Sequence, residues 1–206
     1  MNNGTAGSMA RYQAARRAVL ALVVLFGGIG LIFSGSARSE FLHEAIEGYG
    51  LALILVGIGG RLWATLYIDG RKSSEVVQSG PYSIMRNPLY FFSTIAIMGV
   101  GAQTGSIMIA LICAAVCALC FHFVALHEER YLAERLGQAY LNYKARVPRF
   151  FPNPTLYRDQ AMVTFRPRYL NRTLLDGLVF FVSIPVLEFI ESGQALGWIP
   201  VYLQLY

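Results

Sequence analysis

Long apolar segments alternate with shorter polar ones along this chain. A helix that crosses the hydrocarbon of a bilayer needs about 20 predominantly apolar residues. Five segments approach that length, namely residues 18–34, 48–68, 89–102, 106–126 and 174–190. The third is short and follows Pro88, and Pro185 interrupts the fifth. The pattern predicts an all-α, polytopic membrane helix bundle of about five transmembrane helices.

Polar residues between these segments predict an orientation. Basic residues cluster before the first span, between the second and third, and between the fourth and fifth. Five crossings place all three clusters on one side, whereas the opposite segment holds Arg38 beside Glu40, Glu44 and Glu47. Because cytoplasmic loops carry an excess of lysine and arginine, the pattern predicts a cytoplasmic N-terminus and an external C-terminus.

Polar residues 127–172 form the longest polar segment, and they are predicted to include a cytoplasmic helix over residues 128–144. Glutamate and arginine residues in it have the spacing of surface pairs on a helix. The prolines Pro148, Pro152 and Pro154 then end it. The fold is therefore a membrane bundle with an additional helical segment on the cytoplasmic side.

Composition supports a membrane protein rather than a soluble domain or a nucleic-acid-binding protein. The chain is 55% hydrophobic and 14% charged, whereas soluble domains are nearer 25% charged. The net charge of +5 lies beside apolar spans, so nucleic acid is not the expected partner. No signal peptide is evident, residues 1–15 are expected to be disordered, and the short loops favour a bacterial inner membrane.

Two polar clusters are candidates for chemistry. The first, Ser79-Gly80-Pro81-Tyr82-Ser83-Ile84-Met85-Arg86-Asn87-Pro88-Leu89-Tyr90, has two turn-forming dipeptides directly before a span. The second, His127-Glu128-Glu129-Arg130, follows the fourth span. Alone, the first is compatible with an interfacial loop and the second with a solvated helix start. Adjacent helical positions point about 100° apart, so one glutamate can hold a ligand while the other pairs with an arginine such as Arg86 or Arg130.

Taken in order, these clusters resemble a known family. The first cluster, a helical hairpin, Glu128-Glu129 and then Tyr140-Leu141-Asn142-Tyr143-Lys144-Ala145-Arg146-Val147-Pro148 follow one another. This series resembles the isoprenylcysteine carboxyl methyltransferases and their phospholipid methyltransferase relatives. Their pattern is Gly-x-Tyr-x-x-x-Arg-His-Pro-x-Tyr, a hairpin, Glu-Glu and a Tyr-x-x-Tyr-x-x-x-Val-Pro tail. The resemblance covers residues 60–152.

The resemblance implies S-adenosyl-L-methionine-dependent methyl transfer to a lipidic or amphiphilic acceptor. It implies one membrane methyltransferase domain over residues 1–206, with a cofactor-binding core at 60–152 and a segment at 153–206 that includes the last span. Arg86 and Glu129 become the candidate catalytic residues. The implied cofactor-binding residues are Ser74, Glu75, Val76, Val77, Tyr82, Asn87, Pro88, Leu89, Tyr90 and Glu128. No metal site is implied.

Two positions depart from the family pattern. Asn87 stands where the family has histidine, and an amide can exchange hydrogen bonds but cannot titrate. A general-base role is therefore not expected there, whereas a cofactor contact still is. Val124 stands where the prenylcysteine branch has an arginine associated with the substrate carboxylate. A prenylcysteine substrate is accordingly disfavoured, and N-methylation of a phospholipid amine is an alternative.

Other features leave further alternatives open. Arg61 within the second span is either functional or extends to the cytoplasmic interface. Gly57-Ile58-Gly59-Gly60 is predicted to allow close helix packing, because no strand precedes it as a nucleotide-binding loop would require. Cys113, Cys117 and Cys120 share one helical face and are interpreted as packing residues. A small transporter or other non-catalytic membrane protein and a nicotinamide-dependent membrane reductase are the alternative classes of protein.

Overall fold

The structure is a computed structural model that describes residues 34–35, 40–68, 75–200 and 203–204. Its α-helices are α1 Glu40–Ile68, α2 Pro81–Ile84, α3 Pro88–Ala102, α4 Ile107–Leu136, α5 Gln138–Arg146, α6 Pro167–Leu178 and α7 Ser183–Ala195. Turns of 3₁₀ helix span Pro154–Leu156 and Val179–Val182. The two-residue strands β1 Ser34–Gly35 and β2 Leu203–Gln204 pair in parallel. Except for Ser34, the predicted first span lies outside the described residues.

The described helices confirm an all-α membrane bundle. Three helical segments are long and apolar enough to cross a membrane, namely Phe41–Ile68, Ile107–Leu136 and Pro167–Ala195, and Pro88–Ala102 is a shorter apolar helix. Residues Arg38–Leu187 form one compact unit, and the described residues after Leu187 belong to another. The fold and the site described below belong to the first unit.

Close packing of α1 on α3 forms the centre of this unit. A Cβ atom added at Gly57 would lie 2.6 Å from the Cβ of Ala96, and one added at Gly60 would meet the ring of Phe92. The absence of side chains at these glycines therefore lets the two helix backbones approach, as is common between transmembrane helices. The prediction that this glycine group serves helix packing is confirmed.

A tight turn joins α3 to α4, as the sequence predicts. The turn occupies residues 103–105 and uses a positive φ of 68° at Gly105. Ser106 then caps α4, because its hydroxyl accepts a hydrogen bond from the backbone N–H of Ile109. Tyr90 on α3 and Glu128 on α4 therefore belong to two helices joined by this tight turn.

Residues 128–144 are helical except for Gly137, but they do not form the one separate helix that the sequence predicts. Helix α4 continues from the apolar span through Leu136, because residues 127–136 contain no glycine or proline to end it. Gly137, at φ 57° and ψ −137°, adopts a conformation that other residues rarely reach, and α5 begins after it. Glu128 and Glu129 consequently lie within a long helix rather than at the start of a new one.

The last helical segment begins earlier than predicted. Helix α6 starts at Pro167, a favourable first position because proline has no N–H to satisfy there. The 3₁₀ turn over Val179–Val182 precedes Pro185, whose ring and missing N–H disturb the α-helical bonding of the preceding turn. The segment thus consists of two helices with a tightened turn between them.

Arg61 lies between helices. Its Nη1 donates a 2.6 Å hydrogen bond to the Ser93 hydroxyl on α3, and its guanidinium lies 5.7 Å from the centre of the Phe180 ring. One turn along α1, Thr65 donates a hydrogen bond of 3.0 Å to Thr173 on α6. Arg61 therefore contacts neighbouring helices, which disfavours its extension to the cytoplasmic interface.

Candidate active site

A cavity of about 570 Å³, open to the surrounding medium, lies where the loop before α3 meets α4 and α5. It is lined by charged, aromatic and aliphatic residues, namely Ile68, Glu75, Val76, Val77, Tyr82, Arg86, Asn87, Pro88, Leu89, Tyr90, Glu128, Glu129, Leu132, Leu136, Tyr140 and Tyr143. The cavity therefore offers both charged groups and an apolar surface to one ligand.

The sequence-predicted residues are brought together around this cavity. Arg86 and Glu129, the candidate catalytic residues, line it, and so do Glu75, Val76, Val77, Tyr82, Asn87, Pro88, Leu89, Tyr90 and Glu128. Ser74 lies outside the described residues. Residues separated by about 50 positions in the sequence thus share one surface, as a common ligand site requires.

The loop that carries Tyr82 and Arg86 is held in a defined shape. Gly80 has a φ of 56°, and a Cβ atom there would lie 2.5 Å from the Tyr67 ring, so only glycine fits. Helix α2 follows, and all four of its residues are buried. The Tyr143 hydroxyl also donates a 2.8 Å hydrogen bond to the carbonyl of Tyr82. Burial and this bond keep Tyr82 fixed against α5.

A segment beyond α5 runs alongside the same loop; we call residues 147–158 the strap. The Arg86 N–H donates to the carbonyl of Pro148 at 2.8 Å, and the Asn87 N–H donates to that of Arg149 at 3.2 Å. Likewise, the Gly80 N–H donates to the carbonyl of Arg158 at 2.8 Å. These backbone bonds satisfy the polar groups of an irregular loop that helix bonding leaves unpaired.

Glu129 is the centre of a buried charge cluster. Its side chain is 2% exposed, and Arg149 donates to both carboxylate oxygens, at 2.9 and 3.0 Å. Arg86 Nη1 lies 3.1 Å and Lys144 Nζ 3.5 Å from the same carboxylate. The hydrogen bond to Glu129 raises the pKa of the Arg149 guanidinium. Of the three cations around this anion, Arg86 is the one that lines the cavity.

Arg86 and Tyr82 hold polar atoms that lack partners among the described residues. The Arg86 side chain is only 9% exposed, yet its Nε and Nη1 form no hydrogen bond, since the Glu129 contact has the distance of an ion pair without hydrogen-bond geometry. The Tyr82 hydroxyl is likewise buried without a partner. Unsatisfied buried donors are rare and costly, so these atoms indicate a ligand with acceptor oxygens.

Glu128 has a different environment from Glu129. The Tyr90 hydroxyl donates a 2.9 Å hydrogen bond to its Oε2, and Glu128 itself is half-buried. The Tyr90 ring stacks on Phe121 with centroids 4.7 Å apart, which fixes the hydroxyl in place. Because Glu128 lines the cavity, its carboxylate can accept hydrogen bonds from a ligand that carries hydroxyl or ammonium groups.

The two departures from the family pattern have structural explanations. The Asn87 side-chain amide donates a 3.3 Å hydrogen bond to the Arg149 carbonyl, so it connects the loop to the strap. Val124 is 8% exposed and packs with Tyr90, Cys117, Phe121 and Ala125. It does not line the cavity. An arginine at position 124 would have to disrupt this apolar cluster.

Sequence reasoning did not single out several lining residues. Leu132 and Leu136 follow Glu128 and Glu129 at helical spacing, so the continuous α4 face would have identified them. Tyr140 and Tyr143 belong to the tail motif, which the resemblance includes without assigning a role. Nothing in the sequence signals that Arg149 lies against Glu129, because that contact depends on the folding of the strap over the loop.

Three tyrosines at the cavity remain protonated at physiological pH. Burial raises the pKa of Tyr82 well above its ordinary value and that of Tyr140 to about 12. Burial also raises the pKa of Tyr143. Neutral phenols donate hydrogen bonds and present their ring faces, which attract cations. They are therefore positioned as donors and packing surfaces rather than as bases.

Comparison with known proteins gives one family match and two curated relatives. Residues 48–139 match the model of the family described as phospholipid methyltransferase. The nickel-cobalt-cadmium resistance protein NccN of Alcaligenes xylosoxydans xylosoxydans is 33% identical over 165 residues, which cover 80% of this chain and 77% of the relative. The cobalt-zinc-cadmium resistance protein CzcN of Cupriavidus metallidurans is 34% identical over 183 residues, 88% of this chain and 84% of the relative. No solved structure matches the chain significantly.

Proposed function

Because the chain belongs to the phospholipid methyltransferase family, we propose that it transfers a methyl group from S-adenosyl-L-methionine to a lipidic or amphiphilic acceptor. The observation that carries the proposal is the buried guanidinium of Arg86 at the wall of the cavity, whose Nε and Nη1 form no hydrogen bond with the described residues although Nη1 is ion-paired with Glu129. An isolated apolar helix bundle has no use for such a group, since its desolvation costs free energy unless a ligand compensates it.

The residues present fit the proposed cofactor. Glu75, Val76, Val77, Tyr82, Asn87, Pro88, Leu89, Tyr90 and Glu128 would hold it, and its sulfonium supplies an activated methyl group for in-line displacement. Glu128 provides a carboxylate for hydroxyl or ammonium groups, and the neutral phenol of Tyr82 provides a donor. The aliphatic residues Leu132 and Leu136 provide an apolar wall that excludes water. Such a displacement depends on alignment and a dry site more than on proton transfer.

Arg86 and Glu129 are proposed as the residues that orient the reacting groups. Glu129 is held by Arg149 from the strap and by Lys144, and it lies 3.1 Å from Arg86 Nη1. Removing the carboxylate would leave three neighbouring cations without their anion. We therefore expect Glu129 to act mainly by positioning Arg86, and Arg86 to contact the ligand.

Arg86, the basic residue among those that line the cavity, favours an acceptor that carries an acidic oxygen group. A guanidinium with free N–H groups matches a carboxylate or phosphate, and it repels an ammonium. Transfer to oxygen at a lipid-borne acid is therefore the first proposal. Transfer to a phospholipid amine is the second candidate, and it is favoured by the family match and by the carboxylate of Glu128.

A direct test uses the purified protein, S-adenosylmethionine with a radiolabelled methyl group, and an extract of bacterial lipids. We expect label in the lipid fraction, and mass spectrometry should identify a product heavier by one methylene group. Arg86→Gln should abolish labelling, whereas Arg130→Gln, an exposed arginine outside the cavity, should not. If S-adenosylhomocysteine fails to raise the melting temperature of the wild type but NADPH does, the membrane-reductase alternative replaces this proposal.

We further propose that the activity supports resistance to cobalt and cadmium, the metals common to the names of both curated relatives. The wild-type gene should then restore growth of a deletion strain in cobalt or cadmium salts, and the Arg86→Gln variant, produced in equal amount, should not. Restoration by the inactive variant would separate metal resistance from methyl transfer.

A further inference from the structure

Residues 158–172, which lead from the strap into α6, form an exposed surface with an unusual composition. Arg158, Arg166, Arg168 and Arg172 are all exposed, and we call these four residues the arginine surface. Exposed apolar side chains lie between them in the sequence: Met162 is 82% exposed and Phe165 is 41% exposed. Water is an unfavourable environment for these apolar side chains, whereas a bilayer surface accommodates both residue types.

Internal contacts do not account for the arginines. None of the four guanidinium groups forms an ion pair with the described residues. The one acid in residues 149–172 is Asp159, and its carboxylate accepts hydrogen bonds from Tyr67 and Tyr157 at 2.7 and 2.9 Å. The helix dipole does not explain them either, because cations are disfavoured near the N-terminus of a helix such as α6.

The placement of this surface indicates what covers it. Arg166 and Arg168 flank Pro167, the first residue of a helical segment long enough to cross a membrane. Between them and Arg158, the side chain of Val163 packs inward against the cluster of Ala64, Tyr67 and Tyr82, which holds this irregular segment on the bundle. Arg166 and Arg168 therefore lie at the beginning of an apolar helical segment, where we expect lipid headgroups.

We propose that the arginine surface binds the headgroups of anionic lipids, with Met162 and Phe165 against the neighbouring acyl chains. Asp159 and Asp176 lie near this surface in the sequence, but neither forms an ion pair with the four arginines among the described residues, so the charge of the arginines can complement that of lipid phosphates. Clusters of basic residues beside a membrane span bind anionic lipids through this electrostatic attraction. The proposal depends on membrane insertion, and it holds whether or not the cavity transfers methyl groups.

Backbone hydrogen bonds connect the arginine surface to the loop that lines the cavity. The backbone N–H of Arg158 donates to the Ser83 hydroxyl at 3.0 Å, and its carbonyl accepts from the Gly80 N–H at 2.8 Å. Ser83 belongs to α2, directly after Tyr82. A headgroup held by the side chain of Arg158 would thus contact a residue whose own backbone is hydrogen-bonded to the cavity loop.

The test uses full-length protein reconstituted in nanodiscs made from equal parts of phosphatidylcholine and phosphatidylglycerol. After transfer to mild detergent, native mass spectrometry gives the ratio of the two lipids that remain bound. We expect the wild type to retain phosphatidylglycerol preferentially. Arg166→Gln combined with Arg168→Gln should reduce the preference by about fivefold for each arginine removed. Arg166→Lys with Arg168→Lys should retain most of it.

The matched control is Arg130→Gln with Arg135→Gln, which removes the same charge from exposed positions on α4. The control should keep the wild-type lipid ratio, and its melting temperature in detergent should match that of the test variant. The proposal is overturned if the wild type retains the two lipids in proportion to their supply. It is also overturned if the control loses the preference as fully as the test variant, since the effect would then reflect net charge alone.

Discussion

At the residue scale, Glu128 and Glu129 show how two identical neighbours in one helix acquire different environments. Their side chains point about 100° apart around α4. Glu129 points to Arg149, Arg86 and Lys144 and is buried, whereas Glu128 meets the Tyr90 hydroxyl and is half-buried. One carboxylate is thus enclosed by cations, and the other is available to the cavity.

The first prediction concerns Glu128. Glu128→Gln removes a charged acceptor but keeps the shape of the side chain. Because hydrogen bonds to charged groups are worth about 1.5–3 kcal/mol, affinity for S-adenosylhomocysteine should fall by roughly tenfold or more. Calorimetric titration measures this, with Glu134→Gln, an exposed glutamate on the same helix, as the control. Unchanged affinity in a folded Glu128→Gln protein would remove Glu128 from the cofactor site.

The second prediction concerns the acceptor and Val124. Val124 is packed against Tyr90 and Phe121 away from the cavity, so it cannot neutralise a substrate carboxylate. Arg86 and Arg61 both have buried N–H groups without hydrogen bonds in the described residues, and Arg86 also contacts Glu129, so we expect any acidic acceptor to differ in shape from prenylcysteine. We expect N-acetyl-farnesylcysteine to be methylated poorly compared with a bacterial lipid extract in a radiolabelled assay. Efficient turnover of the farnesylcysteine compound, with no labelling of the extract, would contradict the prediction.

The third prediction concerns alkaline pH. Burial raises the pKa of Tyr140 from 10.0 to about 12, so between these values the unfolded chain loses the proton first. Stability that is fully present below pH 10 should therefore decline as the pH rises towards 12. Melting temperatures measured across this range should fall less steeply for Tyr140→Phe than for the wild type. Equal slopes would show that the Tyr140 hydroxyl is exposed to water in the folded protein.

At the scale of elements, the strap and the loop that carries Arg86 depend on each other. The loop has irregular backbone, and its N–H groups find carbonyl partners in the strap. Gly80 allows the required turn beside the Tyr67 ring. The position of the candidate site is therefore determined by backbone hydrogen bonds between segments about 60 residues apart in sequence, as well as by the helices themselves.

The fourth prediction tests this dependence at Gly80. Gly80→Ala introduces a Cβ atom at a φ of 56° and 2.5 Å from the Tyr67 ring, so both strain and steric overlap oppose it. We expect destabilisation of about 1–3 kcal/mol or more, together with loss of S-adenosylhomocysteine binding. Gly59→Ala is the control, because no atom lies within 4 Å of its added Cβ and its helix favours alanine. A Gly80→Ala protein as stable as the control would mean that the loop has another conformation.

The sequence predicted the elements better than their ends. The lengths of the apolar segments identified α1, α3, α4 and the last helical segment. This works because the thickness of a bilayer sets the number of apolar residues that a spanning helix needs. The prediction misplaced the break after α4, since the positive φ of Gly137 depends on how α5 packs and is not distinctive in the sequence. The motif series identified most of the cavity wall, but the contact between Arg149 and Glu129 was beyond reach because it joins segments through the folded strap.

At the scale of the whole molecule, the distribution of basic residues leads to the fifth prediction. Reporter fusions should place the N-terminus in the cytoplasm and the C-terminus outside, because the basic segments then all face the cytoplasm. Fusions within residues 36–39 should report the external side, and fusions within residues 159–162 the cytoplasmic side. Both ends on the same side would contradict five crossings, and the fusion near residue 160 would then show which half of the chain is inverted.

The unbroken course of α4 has a mechanical consequence. Thirty residues make a rod of about 45 Å, whereas the hydrocarbon of a bilayer is about 30 Å thick. Glu128 and Glu129 lie on the part of this rod that extends roughly 30 Å or more from its beginning at Ile107. A thicker or thinner bilayer changes the tilt of such a rod. The height of the two carboxylates relative to the lipid surface is therefore expected to change with the length of the acyl chains. The fatty-acid composition of the membrane would then affect the position of the site.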